Sequence, residues 1–121
     1  MTIQKQEVHV TSSSGEDRAI EVVEETFEPS GVVLAVSGEL DIASAPRLRA
    51  AVGNLMGQGI RHLEVDLDGC TFIDSSGMGA LLWAQHRLHA AGGDLVTLHV
   101  HGPPQRALAM SGIEGVLAVR H

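Results

Sequence analysis

Apolar residues recur along the chain with two different periods, and the changes of period lay out most of the fold. Ile20 and Val22 alternate with charged neighbours, the chain breaks at Pro29, Ser30 and Gly31, and an apolar run, VVLAV, follows over residues 32–36. Period two, turn residues and then a β-branched run predict a strand, a turn and a second strand. The period then lengthens. Leu48, Val52, Leu55 and Met56 fall at helical spacing, with Pro46 tolerated in the first turn and Gly57 or Gly59 at the end. HLEVDLDG, residues 62–69, alternates Leu63, Val65 and Leu67 against His62, Glu64, Asp66 and Asp68, the pattern of a strand with one polar face. A second helix is predicted over 76–91 from Met78, Leu81, Leu82 and Leu88, stopped by Gly92 and Gly93. Val96, Leu98 and Val100 predict a fourth strand, Pro103 and Pro104 open a short helix through Met110 that ends at Gly112, and residues 116–119 form a last strand or a turn.

The predicted order is ββαβαβα with a weak terminal strand. Strands separated by single helices favour crossover connections and parallel pairing, whereas the first two strands suit a hairpin. The fold class is therefore α/β, a mixed sheet with helices packed mainly on one face. Residues 1–18 carry TSSSGEDR and no sustained apolar period, so they read as a mobile N-terminal tail, although Val8 and Val10 allow a short edge strand. Residues 19–121 form the folded domain.

Composition narrows the function classes. A chain of 121 residues suits one domain with a core that needs neither disulfide nor metal. Its only aromatic residues are Phe27, Phe72 and Trp83, so platforms for stacking bases are nearly absent. The formal net charge of −7 opposes binding to nucleic acid or an anionic membrane. The single Cys70 reads as a small buried residue at a strand end. With no apolar run of membrane-span length and no signal-peptide pattern, the chain is expected to be cytoplasmic.

Chemistry concentrates in TFIDSSGMGALL, residues 71–82. A nucleophile elbow needs glycines two before and two after the serine, and here Ile73 precedes Ser75 and Asp74 precedes Ser76 by two, so a hydrolase is disfavoured. A dinucleotide fingerprint needs a third glycine where Leu82 stands, and no Gly-Lys-Ser/Thr follows, so no cofactor site is written here. Gly79 reads instead as a point where the second helix packs close to a neighbour. What remains is a helix N-terminus bearing a hydroxyl, with Ser75 at or just before the first turn, where it would accept from unpaired backbone N–H groups. His86 and His89, and His99 and His101 on one predicted strand face, are two pairs without a third ligand nearby, so no metal site is expected. Trp83 is either an exposed partner contact or a buried residue.

FIDSSGMGALL closely resembles the signature of the STAS domain as found in bacterial anti-sigma factor antagonists. GELDIASAPRLR, residues 38–49, resembles that family's strand-loop-helix segment with its acids Glu39 and Asp41, and MSGIEGVL, residues 110–117, its closing segment. The resemblance implies a sheet of four to five strands carrying three or more helices, and neither catalytic activity nor a cofactor. It implies a phosphoserine directly after the motif aspartate, at Ser75, with Ser76 as the alternative. Unphosphorylated protein would bind a partner that is both anti-sigma factor and serine kinase, freeing a sigma factor; phosphorylation would end that binding until a PP2C-like phosphatase reverses it. Asp41 and Asp74 would lie near Ser75 at one end of the sheet, as orienting or kinase-contacting groups or as caps of helix starts. The partner-binding candidates are Asp41, Asp74, Ser76, Gly77, Met78 and Trp83. The competing reading is a non-phosphorylated STAS scaffold subunit of a stress-sensing or transport complex.

Overall fold

The computed structural model describes residues 5–10, 20–27 and 31–120. Seven strands among the described residues form one mixed sheet. Strands β1 (Lys5–Val10), β2 (Ile20–Phe27) and β3 (Gly31–Leu40) make an antiparallel meander. The edge strand that Val8 and Val10 allowed is thus present, while the expected boundary between tail and domain falls in 11–19, outside the described residues. Helix α1 (Ala45–Gly57) leads to β4 (His62–Asp66) and β5 (Cys70–Ile73), and α2 (Ser75–Ala90) to β6 (Asp94–Leu98). Helix α3 (Gly102–Ser111), a 3-10 turn at Ile113–Gly115 and β7 (Val119–Arg120) complete the chain.

From β3 onward every pairing is parallel, in the spatial order β3, β4, β6, β7. The long β3 serves two partners. Its first half lies along β4, from Gly31 opposite His62 to Ala35 opposite Asp66, and its second half along β5, with a register shift between Gly38 and Glu39. Between β4 and β5 the chain turns through Leu67–Gly69, pinned where Leu67 N donates to Leu98 O (2.9 Å) and Gly38 N to Gly69 O (2.9 Å). That turn re-aims β5 so that Ile73 finishes opposite Leu40.

The sheet has a dry face and a charged face. Val32, Leu34 and Val36, Leu63 and Val65, and Leu95 form one core cluster with Leu48, Val52 and Leu55 of α1, Ala80, Leu81 and Leu88 of α2, and Leu108 of α3. All three helices therefore cover the same side, as expected. Each fully buried leucine contributes about 1.5–3 kcal/mol relative to exposure, and these aliphatic side chains do the work that aromatics do in other cores. On the opposite face Glu64 and Asp66 stand half-buried, with Arg120 Nη2 2.6 Å from Glu64 Oε2 and His99 Nδ1 2.9 Å from Asp66 Oδ1. One side chain of α2 helps to hold the C-terminal segment, which also pairs with β6. Buried Gln85 of α2 donates through Nε2 to Val116 O (2.8 Å) and accepts at Oε1 from Ala118 N (2.8 Å).

Candidate functional site

Because β3 and β5 are parallel and end in register, their next residues, Asp41 and Asp74, emerge side by side. Asp41 is buried, 4% exposed, and turned into its own loop. Its Oδ1 accepts from Ala43 N (3.0 Å) and Ser44 N (3.1 Å), while Ser44 Oγ accepts from Asp41 N (2.9 Å) and donates to Glu39 O (2.7 Å). This closed turn launches α1. Asp41 therefore shapes the loop and offers no open face to a partner.

Asp74 does two jobs at once. With extended backbone (φ −110°, ψ −173°) it is the N-cap of α2, its Oδ1 accepting from Gly77 N at 3.0 Å. Its Oδ2 accepts from Ile42 N at 3.2 Å, so one carboxylate both starts α2 and ties it to the loop before α1. The cap expected of Ser75 thus belongs to Asp74. An aspartate in extended conformation one residue earlier satisfies the same unpaired N–H groups, and Ser75 becomes the first residue of the helix.

Ser75 is exposed, and among the described residues its hydroxyl makes no hydrogen bond. Ser76 and Met78 are half-buried, and Met78 packs on the core. Gly77 is buried for a steric reason: a Cβ there would collide with Leu40 O and stand 2.8 Å from Ile73 Cγ1. The close approach expected at Gly79 is therefore made by Gly77; at Gly79 a Cβ would meet only Arg49 Nη2, at 3.7 Å. Trp83 is half-buried between two cations, Arg49 at 5.5 Å and Arg87 at 5.8 Å from the ring centroid.

Two residues that the sequence reading passed over join this end of the molecule. Ile42 is 74% exposed and Phe72 45% exposed, in the two segments that Asp74 joins. An apolar residue in a polar loop, and a phenylalanine on a strand edge, were the available signals. The histidines do not form the expected strand face. β6 stops at Leu98, His99 takes a left-handed backbone (φ 56°), and His99 and His101 pair with Asp66 and Asp68 instead. Among the described residues no group of three or more His, Cys, Asp or Glu side chains could hold a metal ion. Cys70 is buried at the start of β5, and desolvation pushes its thiol up despite hydrogen bonding with the backbone of Phe72 and Leu40, so it is not a poised nucleophile.

Fold and site together define a class: an α/β module that presents a capped acid, a free hydroxyl and an apolar rim at the ends of two parallel strands. Residues 23–119 match the family model described as "Mlab, STAS domain", and the chain belongs to the STAS domain family. A relative, the anti-sigma F factor antagonist of Lysinibacillus sphaericus, is 30% identical over 83 residues, which are 68% of this chain and 71% of the relative. An anti-sigma factor antagonist from Mycobacterium paratuberculosis shares the fold with a TM-score of 0.75 at 22% identity, over 86% of this chain and 87% of that one. The Bacillus cell fate determinant SpoIIAA, solved in its phosphorylated form, does so with a TM-score of 0.64 at 24% identity, over 83% of this chain and 91% of that one. No helix among the described residues is long and apolar enough to cross a membrane.

Proposed function

We propose that this protein is a cytoplasmic anti-sigma factor antagonist, itself without catalytic activity, whose binding is switched at Ser75. One observation carries the reading: the exposed hydroxyl of Ser75 has no partner among the described residues, because the neighbouring Asp74 does the capping. A kinase can reach such a hydroxyl, and modifying it breaks no bond that holds the fold. Phosphate adds about −1.5 to −2 charges at pH 7 beside Asp74, in a chain that already carries −7. The start of α2 offsets part of that, by about 0.3–1 kcal/mol. A partner surface fitted to a neutral hydroxyl at this position would have to desolvate the new charge, which opposes binding.

In this reading the partner is an anti-sigma factor with serine-kinase activity, and a PP2C-like phosphatase resets the switch. Ile42, Phe72 and the exposed rim of α2, including Ser76, Met78 and Trp83, supply contacts; Asp74, Asp41 and Gly77 hold them in place. The working unit is 19–121, to which 1–18 adds the edge strand β1. The alternative is a non-phosphorylated STAS scaffold subunit of a stress-sensing or transport complex, which membership of the STAS family alone would equally allow.

Peptide mapping of protein recovered from its own host is expected to find phosphate on Ser75. The captured partner should be a serine kinase that binds Ser75→Ala at least about tenfold more tightly than Ser75→Asp, about 1.4 kcal/mol. Phosphate on Ser76 alone, or equal affinity for both variants when both are folded, overturns the switch and leaves the scaffold.

A further inference from the structure

The guanidinium groups of Arg49 and Arg87 share the ring of Trp83. Neither has a carboxylate partner among the described residues. Two like charges on one ring repel each other, so the ring keeps most of its cation–π stabilisation with only one of them. One arginine is therefore spare, and Arg49 is the one placed to leave. Its Nη2 lies 3.7 Å from where a Gly79 side chain would begin, and Gly79 stands one helical turn after Ser75 and Ser76. With no side chain at 79, the lane along α2 from Arg49 to Ser75 is open.

Direction favours the same path. α1 and α2 leave neighbouring parallel strands at the same end of the sheet, and long side chains on helices prefer rotamers that point toward the N-terminus. From residue 79 to residue 75 the helix axis advances about 6 Å, within the swing of an arginine. The other charged groups nearby do not compete. Asp74 and Glu39 are acids, Asp41 is buried in its own turn, and Arg47 is already partnered.

We propose that Arg49 is a built-in receptor for a phosphate on Ser75. On modification it leaves Trp83, which Arg87 continues to cover, and its planar fork pairs with the phosphate oxygens. The inference rests on the reading of Ser75 as the phosphosite. It adds a second change to the switch: the modified protein gains an anion at the start of α2 and loses a cation from the α1–α2 face.

The test uses full-length protein with phosphoserine placed at position 75 by genetically encoded incorporation, which needs no kinase. Phosphorus NMR follows the second ionisation of the phosphate, and fluorescence follows Trp83, the only tryptophan in the chain. The phosphate is expected to titrate about half a unit to one unit lower with Arg49 than with Arg49→Gln. Arg49→Lys should fall between them, and Arg87→Gln should leave the titration in place. Phosphorylation should change Trp83 emission in the Arg49 background and not in Arg49→Gln. Equal titration with Arg49 and with Gln or Lys in its place overturns the proposal, as does a shift lost in Arg87→Gln instead. If host-derived protein lacks phosphate on Ser75, the switch falls and this pairing, read on the encoded phosphoserine, is decided separately.

Discussion

Two adjacent residues divide the labour at the site, and the division can be measured. Asp74→Ala removes both the α2 cap and the tie to Ile42, and should cost about 1–2 kcal/mol. Ser75→Ala removes a hydroxyl with no partner among the described residues, and should stay within about 0.5 kcal/mol of the parent. Thermal melts of the two variants check the pair; equal losses would return the cap to Ser75. The sequence points to the right turn but misplaces the cap by one residue, because helical periodicity does not resolve a boundary that finely. Only the extended backbone of Asp74 decides it. A second residue-scale outcome concerns His99. Its hydrogen bond with Asp66, reinforced by that carboxylate's charge, raises its pKa above the ordinary histidine value. A raised folded-state value means that the stabilisation is complete below about pH 6.5 and is lost as the pH climbs through the folded value. NMR titration should show His99 of Asp66→Asn returning toward the ordinary value, and the stability gap between parent and variant closing as pH rises through that window.

Between elements, the contact that positions the site is α2 on the end of β3, and Gly77 permits it. A methyl group at 77 meets the backbone oxygen of Leu40, which cannot swing aside like a side chain. Gly77→Ala should therefore cost about 3 kcal/mol or more, seen as a lowered denaturant midpoint; a cost below about 1 kcal/mol would mean that α2 can slide. The helices and the longer strands are legible in the sequence because their apolar period runs over many residues. β5 is not. Its four residues are buried, exposed, exposed and buried, a pattern without alternation, and it appears only through its pairing with the far half of β3. The strand face expected of His99 and His101 fails for the converse reason: the alternation of Leu98 and Val100 continues past the point where the left-handed His99 ends β6. Arg49 and Trp83 lie on different helices, so no spacing along the chain announces their contact.

At the scale of the whole molecule, one aliphatic cluster under one face of the sheet carries the fold, and Thr97 is one of the polar residues buried with it. The side chain is fully buried, and its hydroxyl has no hydrogen-bond partner among the described residues. Thr97→Val keeps the shape and removes an unpaired group, so stability should rise by about 1 kcal/mol in chemical denaturation; a loss instead would show that the hydroxyl is satisfied. The core reaches the start of α2 through Leu40, Ile73 and Met78, while Ser75 itself stays exposed on its outer side.

Gln85 also bears on the order of assembly. Its carboxamide holds Val116 and Ala118, more than 30 positions further along the chain, and β7 adds only two residues to the sheet. So short an edge strand cannot act as a folding nucleus, since closing so long a loop costs entropy before its few contacts return anything. The segment is expected to dock after the transition state, as a latch on a body already formed. In stopped-flow measurements Gln85→Ala should then speed unfolding while leaving the refolding limb unchanged, so that this one side chain sets how long the finished molecule lasts and not how fast it forms.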